Sequence, residues 1–357
     1  MMQRFIFLCL FYCFLSPISA QVNQQKLDRL FTGLYATGDF NGSVLVARQG
    51  EIIYEQQLGY ANFEKKTPVT ENTVFKLASV SKQFTAIGIM ILKEQGKLSY
   101  DQAVINYLPG FPYSKITVRH LLNMASGIPD YMSFADQLPA GKIPTNQDVL
   151  EFYAKEKPTL KFPPNTQFSY ANINYIILAS IIERVAGQSF ASFLQENIFL
   201  PAKMEATRSY TSQFTQGELL ANYAFPYVQV DDQLTKAYEN PATSYVIAGS
   251  ALEGDGSIVS TPRDLLKWTN GLNNELFVST ATLAEAYTPP TFVDGTKGEY
   301  GFGIYIGKKK VWHWGGWPGV QTAYTRYLAN DTVAIYFKNV ESFNWKWVGQ
   351  FERIVNK

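Results

Sequence analysis

The stretch Phe75-Lys76-Leu77-Ala78-Ser79-Val80-Ser81-Lys82 places a serine and a lysine three residues apart, where a helical pattern begins. Residues at this spacing lie on the same face of a helix, so the Lys82 amine can reach the Ser79 hydroxyl. A serine needs a base to become a nucleophile, and a lysine can act as one when burial lowers its pKa. The same sequence would also result if Ser79 or Ser81 were an ordinary helix cap and Lys82 a solvated lysine. The stretch alone leaves both interpretations open.

A second candidate segment, Phe168-Ser169-Tyr170-Ala171-Asn172, follows a turn-rich region. The Tyr170 hydroxyl can relay protons beside a lysine, and the Asn172 amide can hold a substrate carbonyl. The same tripeptide occurs at Tyr60-Ala61-Asn62, so this signal is weak by itself.

The third segment is Val311-Trp312-His313-Trp314-Gly315-Gly316-Trp317-Pro318-Gly319, on a predicted strand. Paired glycines let another group approach the backbone closely. The N–H groups of Gly316 and Ser79 could then form an oxyanion hole. Alternation along the strand puts Trp312 and Trp314 on one face, away from His313. A glycine-tolerant turn flanked by core tryptophans is the alternative.

The periodicity of the chain predicts strands at both ends and helices between them. Helices are expected at 22–35, 82–94, 118–124, 175–185 and 342–355, and strands at 43–47, 51–54, 300–306, 320–327 and 332–338. Terminal strands can share one antiparallel sheet, which predicts an α+β fold with flanking helices. We expect a discontinuous sheet lobe (21–78 and 255–357) and a mainly helical lobe (79–254), with ligands bound in the cleft between them.

Composition narrows the classes of function. The 357 residues are 46% hydrophobic and 17% charged, which is a globular balance, and the formal net charge is +1. A nearly neutral chain has no global field to attract nucleic acid, so we expect no such partner. The only cysteines are Cys9 and Cys13, and the only histidines are His120 and His313. A zinc site of His and Cys ligands is therefore not expected.

The first 20 residues have the pattern of a secretory signal peptide. Arg4 precedes an apolar run over residues 5–15, and small residues lead to Ala20. Eleven apolar residues are too few to span a bilayer core as a helix. We expect cleavage after Ala20, a secreted or periplasmic mature chain without cysteine, and no stable membrane insertion. Because Arg4 is the single charge in this segment, cleavage would leave a net charge of zero.

Together the three motifs resemble those of the serine β-lactamase and penicillin-binding-protein superfamily, in particular its class C β-lactamase-like branch. The family's S-x-x-K motif matches Ser79 to Lys82, its Y-x-N motif matches Tyr170 to Asn172, and its third, K-T-G-like motif matches His313 to Gly315. Stretches at 116–122, 126–131, 258–264 and 300–303 also look like the family. The resemblance implies a β-lactamase/transpeptidase-like fold, with residues 40–340 as one unit.

The resemblance also implies roles for these residues. Ser79 would attack an acyl carbonyl and form an acyl-enzyme, with Lys82 and Tyr170 sharing the proton transfers. Which of the two is the base stays open, since they would titrate as a coupled pair. Substrate contacts would come from the second and third motifs: Asn172, His313, Trp314, Gly315 and Gly316. No cofactor and no metal is implied.

The third motif departs from the β-lactamase pattern, because His313 and Trp314 stand where lysine and threonine are usual. A neutral histidine and an indole supply less charge and no hydroxyl for anchoring a substrate carboxylate. Trp314-Gly315-Gly316 resembles the W-G-G form of family VIII carboxylesterases. We therefore expect a serine hydrolase acting on a small-molecule or short-peptide ester or small amide. A β-lactamase or D-amino-acid peptidase acting on cell-wall material, and a penicillin-binding sensor without turnover, are the alternatives.

Overall fold

The computed structural model describes residues 18–137, 143–211, 219–243, 245–342 and 344–356. The apolar run of the predicted signal peptide lies outside these ranges. Within them, no single helix has the length and apolar composition to cross a membrane. The bent pair Ile173–Ala186 and Phe190–Phe199 passes that test only when its two halves are taken together.

The described α-helices are α1 (Ile18–Ala36), α2 (Lys82–Glu94), α3 (Val118–Leu122), α4 (Asn146–Glu156), α5 (Ile173–Ala186), α6 (Phe190–Leu194), α7 (Tyr245–Ala248), α8 (Pro262–Asn273), α9 (Thr280–Ala286) and α10 (Lys346–Val355). Short 3-10 or π turns lie at Ala78–Ser81, Val104–Asn106, Tyr131–Gln137, Gln195–Phe199, Pro241–Thr243 and Gly249–Ala251.

The strands are β1 (Gly42–Arg48), β2 (Glu51–Leu58), β3 (Tyr60–Asn62), β4 (Thr67–Pro68), β5 (Phe75–Lys76), β6 (Arg208–Ser209), β7 (Tyr227–Val230), β8 (Gln233–Lys236), β9 (Ile258–Ser260), β10 (Tyr305–Ile306), β11 (Lys310–Trp317), β12 (Val320–Tyr327) and β13 (Thr332–Lys338).

The main sheet has six antiparallel strands in the order β10-β11-β12-β13-β1-β2, so both ends of the described chain contribute to it. The β1–β2 hairpin turns at Gln49 and Gly50, both with positive φ (51° and 81°), which matches the twist of a tight hairpin. This arrangement confirms the predicted α+β fold with one sheet built from the two ends of the chain.

Helices cover both faces of the main sheet. On one face, α1 and α10 pack around Phe31, Trp347 and Phe351, which form an apolar cluster with sheet residues such as Tyr336. On the other face, α8 contacts β1 and β13, and the larger core continues into α2 and α5. The helices between the strands therefore share one apolar core with the inner face of the sheet.

Helix 82–94 and strands 320–327 and 332–338 have their predicted bounds, and the other predicted segments differ in theirs. The strand predicted at 51–54 extends to Leu58, for example, and the helix predicted at 118–124 ends at Leu122. The predicted strand 300–306 is reduced to Tyr305–Ile306, because the main chain turns where Gly301 N–H donates to the Ile304 carbonyl. Gly303 (φ +72°) packs there against α2, and a Cβ on it would lie 2.6 Å from the Lys82 carbonyl oxygen. The last helix begins at Lys346 instead of residue 342.

Candidate active site

Ser79 lies in the 3-10 turn Ala78–Ser81, which leads directly into α2. The turn is tied to two strands: Leu77 N–H donates to the Ile258 carbonyl at 2.8 Å, and the Thr322 hydroxyl donates to the Leu77 carbonyl at 2.7 Å. Ala78 has φ +47°, an unfavourable value for a residue with a side chain. Backbone strain of this kind directly before a candidate nucleophile is a feature of functional sites.

The serine hydroxyls in this turn have different surroundings. Ser79 is partly exposed, and its side chain makes no helix-capping bond in the turn. Ser81 is fully buried, and its hydroxyl accepts a hydrogen bond from Ile258 N–H at 3.2 Å. The helix-cap alternative therefore does not describe either serine.

The Lys82 amine is fully buried and makes three hydrogen bonds. Its Nζ lies 3.1 Å from Ser79 Oγ, 2.9 Å from Asn172 Oδ1 and 2.7 Å from the main-chain oxygen of Asp255. Burial lowers the pKa of Lys82 to about 8, against the opposing effect of the Asp255 and Asp130 carboxylates. The amine next to Ser79 can therefore lose its proton near neutral pH.

Tyr170 packs over the same amine, with its ring centroid 5.1 Å from Lys82 Nζ. The Tyr170 hydroxyl is buried and has no hydrogen-bond partner of standard geometry in the described chain. Burial raises its pKa well above the usual value, and the Ser79 hydroxyl acts in the opposite direction. The two hydroxyls are thus neighbours, and Tyr170 is an un-ionised phenol at neutral pH.

Asn172 is held by its main chain as well as by its amide. Its N–H donates a short hydrogen bond to the Asp130 carboxylate, which also accepts from Met132 N–H at 3.0 Å. This arrangement leaves Oδ1 of Asn172 directed at Lys82.

Asp255 is a buried carboxylate on the other side of Lys82. Tyr131 donates a hydrogen bond to its Oδ2 at 3.1 Å. Burial raises the pKa of Asp255, and the Lys82 cation offsets part of that effect.

The structure buries His313 behind Tyr170 instead of placing it in the cleft. His313 is 1% exposed, its Nδ1 lies 2.6 Å from the Trp314 carbonyl oxygen, and its Nε2 lies 2.9 Å from the Tyr300 hydroxyl. A carbonyl only accepts, so we assign the proton to Nδ1, which makes Nε2 the acceptor from Tyr300. Burial lowers the pKa of His313 to about 3, so the ring is neutral.

The two glycines of the third motif differ in their surroundings. A Cβ at Gly315 would lie 2.1 Å from the Leu77 carbonyl oxygen, whereas one at Gly316 would meet nothing within 4 Å. Strand β10 pairs only with Val311 and Trp312, so it leaves the edge of β11 uncovered at the glycines. Gly315 therefore brings β11 against the Ser79 turn, and Gly316 is open to a ligand.

A cavity of about 210 Å³ opens at Ser79. It is lined by Lys76, Ala78, Ser79, Tyr131, Tyr170, Asn172, Gly249, Leu252, Asp255, Gly256, Gly316 and Trp317. Four of the predicted site residues thus line it: Ser79, Tyr170, Asn172 and Gly316. Lys82 is hydrogen-bonded to the first and third of these. His313, Trp314 and Gly315 are not among the lining residues, and Trp314 is 53% exposed on the outer face of β11.

Several residues around the cavity were not predicted as site residues, among them four with titratable side chains. Asp130 and Tyr131 lie in the stretch 126–131, and the resemblance of that stretch to the family could have pointed to them. Lys76 stands three residues before Ser79 and had no motif role. Asp255 has no local signal, since it reaches Lys82 only through the fold. In the described ranges no group of three His, Cys, Asp or Glu side chains could hold a metal ion.

Comparison with known proteins agrees with this geometry. The family model described as Beta-lactamase matches residues 27–356. Penicillin-binding protein 4* of Bacillus subtilis is 39% identical over 331 residues, covering 90% of this chain and 73% of that protein. A D-aminopeptidase of Brucella canis is 29% identical over 288 residues, covering 78% of this chain and 52% of that enzyme. The structure of a penicillin-binding protein from Bacillus halodurans has a TM-score of 0.77 at 25% identity, covering 91% of this chain and 99% of that one.

The match to the family model extends over nearly all of the described chain, and residues of the S-x-x-K and Y-x-N motifs meet Gly316 at one cavity. The predicted superfamily is therefore confirmed. This chain belongs to the Beta-lactamase family and is a serine hydrolase.

Proposed function

We propose that this hydrolase cleaves a small ester or amide through a covalent acyl-enzyme on Ser79. The observation that carries the proposal is the hydrogen bonding of Lys82. Asn172 Oδ1 and the Asp255 main-chain oxygen can only accept, so in the neutral amine they take both N–H groups. The remaining lone pair then faces the Ser79 hydroxyl, which is the geometry of a general base.

We infer that Lys82, and not Tyr170, removes the serine proton. The neutral form of Lys82 is populated near neutral pH, because burial lowers the pKa of the amine to about 8. Burial moves the pKa of Tyr170 upward, which disfavours a phenolate base. As the Ser79 oxygen bonds to the substrate carbonyl carbon, its proton passes to Lys82 and the carbonyl π pair moves to the substrate oxygen.

The oxyanion would be held by the main-chain N–H groups of Ser79 and Gly316, since both residues line the cavity. One such donor typically lowers the barrier by ~3–4 kcal/mol. When the tetrahedral intermediate collapses, the bond to the leaving group breaks. The leaving atom takes the proton from Lys82, with the Tyr170 hydroxyl as relay. Water then attacks the acyl carbon and gives its proton to Lys82. The bond between the acyl carbon and the Ser79 oxygen breaks, and Ser79 regains its proton from Lys82.

The third motif supports a substrate that is not anchored there by a cation. His313 is buried and neutral, and Trp314 lies outside the cavity lining. Neither side chain supplies the positive charge or the hydroxyl that a lysine and a threonine would. This is why we place esters and small amides first.

A β-lactamase or D-amino-acid peptidase is the second candidate. It is favoured by the 39% identity to penicillin-binding protein 4* and by the alignment with a D-aminopeptidase, although that alignment covers only about half of the latter. The two candidates share the acyl-enzyme step and differ in the substrate.

Mass spectrometry and turnover assays test the proposal together. The wild type should hydrolyse a short-chain p-nitrophenyl ester faster than a chromogenic cephalosporin, and a rapid quench should trap an adduct on Ser79. Ser79→Ala should lose both adduct and turnover while keeping its circular dichroism spectrum. Ser81→Ala is the matched control, because Ser81 lies in the same turn, two residues after Ser79, but is not among the cavity-lining residues and is buried against Ile258.

Three results would contradict the proposal in different ways. Wild-type turnover by Ser79→Ala would refute the nucleophile. Faster cephalosporin hydrolysis would favour the second candidate. A persistent adduct without multiple turnover would identify a penicillin-binding sensor.

We also propose that the chain is exported and cleaved after Ala20. The support is the pattern of Arg4, the apolar run over residues 5–15 and the small residues before Gln21. Expression in a bacterium with an export pathway, followed by mass measurement of the product, tests it. A product that retains residues 1–20 would refute the cleavage.

A further inference from the structure

Lys76 is a cavity-lining cation to which the mechanism above gives no role. It lies on the short strand β5, next to the buried Phe75, and its side chain borders the same cavity as Ser79. In the described chain its amine donates no hydrogen bond and makes no ion pair within 4.0 Å. The amine lies 5.9 Å from the centroid of the Trp317 ring.

A second, smaller cavity of about 20 Å³ adjoins the first, and Lys76 and Trp317 line both. Ser250 lines the smaller one, is 7% exposed, and its hydroxyl has no hydrogen-bond partner in the described chain. The indole N–H of Trp317 is also buried without a partner there. Buried polar groups normally find a partner, so two unpaired donors beside one cation suit a ligand group that accepts hydrogen bonds.

The chemistry of these groups defines that ligand. The Lys76 ammonium and the Trp317 indole supply only donors, and the Ser250 hydroxyl can donate as well. Asp255, whose carboxylate charge acts on Lys76, already accepts a hydrogen bond from Tyr131. Three donors, one of which is a cation, match an ionised carboxylate, because that group can only accept hydrogen bonds.

We propose that Lys76 binds a carboxylate group of the substrate, with Ser250 and Trp317 as further donors. The inference rests on Ser79 being the acylated residue, as proposed above, and it narrows the substrate class to esters or amides that carry a carboxylate. The cation of this anchor would come from β5, the strand that leads into Ser79, whereas the third motif supplies no cation. The carboxylate can belong to the acyl group or to the leaving group.

Two matched pairs of esters distinguish a carboxylate on the acyl group from one on the leaving group. p-Nitrophenyl hydrogen glutarate and p-nitrophenyl valerate differ by a carboxylate on the acyl side. 3-Carboxyphenyl valerate and 3-methylphenyl valerate differ in the same way on the leaving-group side. For each pair the readout is the ratio of kcat/KM for the anionic ester to kcat/KM for the neutral one.

In Lys76→Met the ratio should fall by about 10-fold or more for at least one pair, because a hydrogen bond between charged groups is lost. Lys76→Arg keeps the charge and should retain most of the ratio. Ser250→Ala should lower the same ratio by a smaller factor. Lys97→Met removes an exposed lysine that is not among the cavity-lining residues, so it controls for the change in net charge.

The pair that responds identifies the side of the substrate that Lys76 contacts. A ratio that is unchanged in Lys76→Met for both pairs would overturn the inference while leaving the proposed function intact. If Lys76→Met does not fold, the ratio in Lys76→Gln, compared with Lys76→Arg, decides in the same way. No turnover and no Ser79 adduct in the wild type would instead refute the proposed function, and this inference with it.

Discussion

Gly315 lies directly against the main-chain carbonyl of Leu77, two residues before Ser79. A Cβ at position 315 would come within 2.1 Å of that oxygen and within 2.2 Å of the Thr322 hydroxyl that binds it. The sheet and the nucleophile turn are therefore in contact through a position that has room only for glycine.

We predict that Gly315→Ala lowers both stability and activity. Accommodating the methyl group must push β11 away from the Ser79 turn, and overpacking of this kind typically costs about 1–3 kcal/mol. The displaced turn should also lower kcat by on the order of 100-fold, since small misplacements of reacting groups are costly. Urea unfolding and ester hydrolysis measure the two effects.

Gly316→Ala is the matched control for stability, because a Cβ there would meet nothing within 4 Å. Its free energy of unfolding should stay close to that of the wild type. Equal destabilisation of the two variants would contradict the close contact assigned to Gly315.

The pH dependence of the reaction should report Lys82. Only the neutral amine can accept the serine proton, and burial lowers the pKa of Lys82 to about 8. kcat/KM for an uncharged ester should therefore rise as the pH increases through about 8, because this parameter reports ionisations of the free enzyme. A profile that is flat from pH 6 to 9 would contradict a lysine base.

Asn172→Asp should move that profile to higher pH. It replaces the amide oxygen 2.9 Å from Lys82 Nζ by a carboxylate, and a nearby negative charge stabilises the ammonium form and raises the pKa of Lys82. Asn62→Asp, in the other Tyr-Ala-Asn tripeptide, is the matched control. The Asn62 side chain accepts from Lys65 N–H, away from the cavity lining, and its variant should leave the profile unchanged.

His313 should act as a positioning residue. Its ring joins the Tyr300 hydroxyl to the Trp314 carbonyl and packs 6.1 Å, centroid to centroid, from Tyr170. His313→Phe should lower the free energy of unfolding by about 1–3 kcal/mol, because it removes the buried hydrogen bond between the imidazole and the Tyr300 hydroxyl. It should also lower kcat by loosening the support behind Tyr170.

The pH profile separates this role from acid-base catalysis. With its pKa lowered to about 3, His313 should contribute no ionisation near pH 6.5, and the profile of His313→Phe should keep the wild-type shape. His120→Ala, which removes the capping histidine of α3, controls for loss of a structural histidine and should leave kcat unchanged. A profile whose shape changes only in His313→Phe would contradict the positioning role.

Much of the fold and part of the site follow from local patterns. Helix 82–94 ends just before Gly96, and turn residues bound strands β12 and β13. The limits of these elements can therefore be predicted from the sequence. The Ser79-to-Lys82 spacing also predicts a local contact, because one helical turn brings the two side chains together. The prediction of a strand over 300–306 was wrong for most of its length, since Gly301 packs against Ala286 and Gly303 against α2, and no local pattern encodes these contacts.

The nucleophile candidate and its lysine partner could be predicted from the letters alone, because their contact depends on spacing within one helical turn. The groups that surround them come from distant segments and became visible only in the folded chain. The fold placed Asp255 and Asn172 on Lys82, buried His313 behind Tyr170, and left Lys76 unpaired at the cavity. The physical reason is that burial and hydrogen bonding between distant segments set the charge state of a side chain, and those contacts arise only when the sheet and the helices pack together.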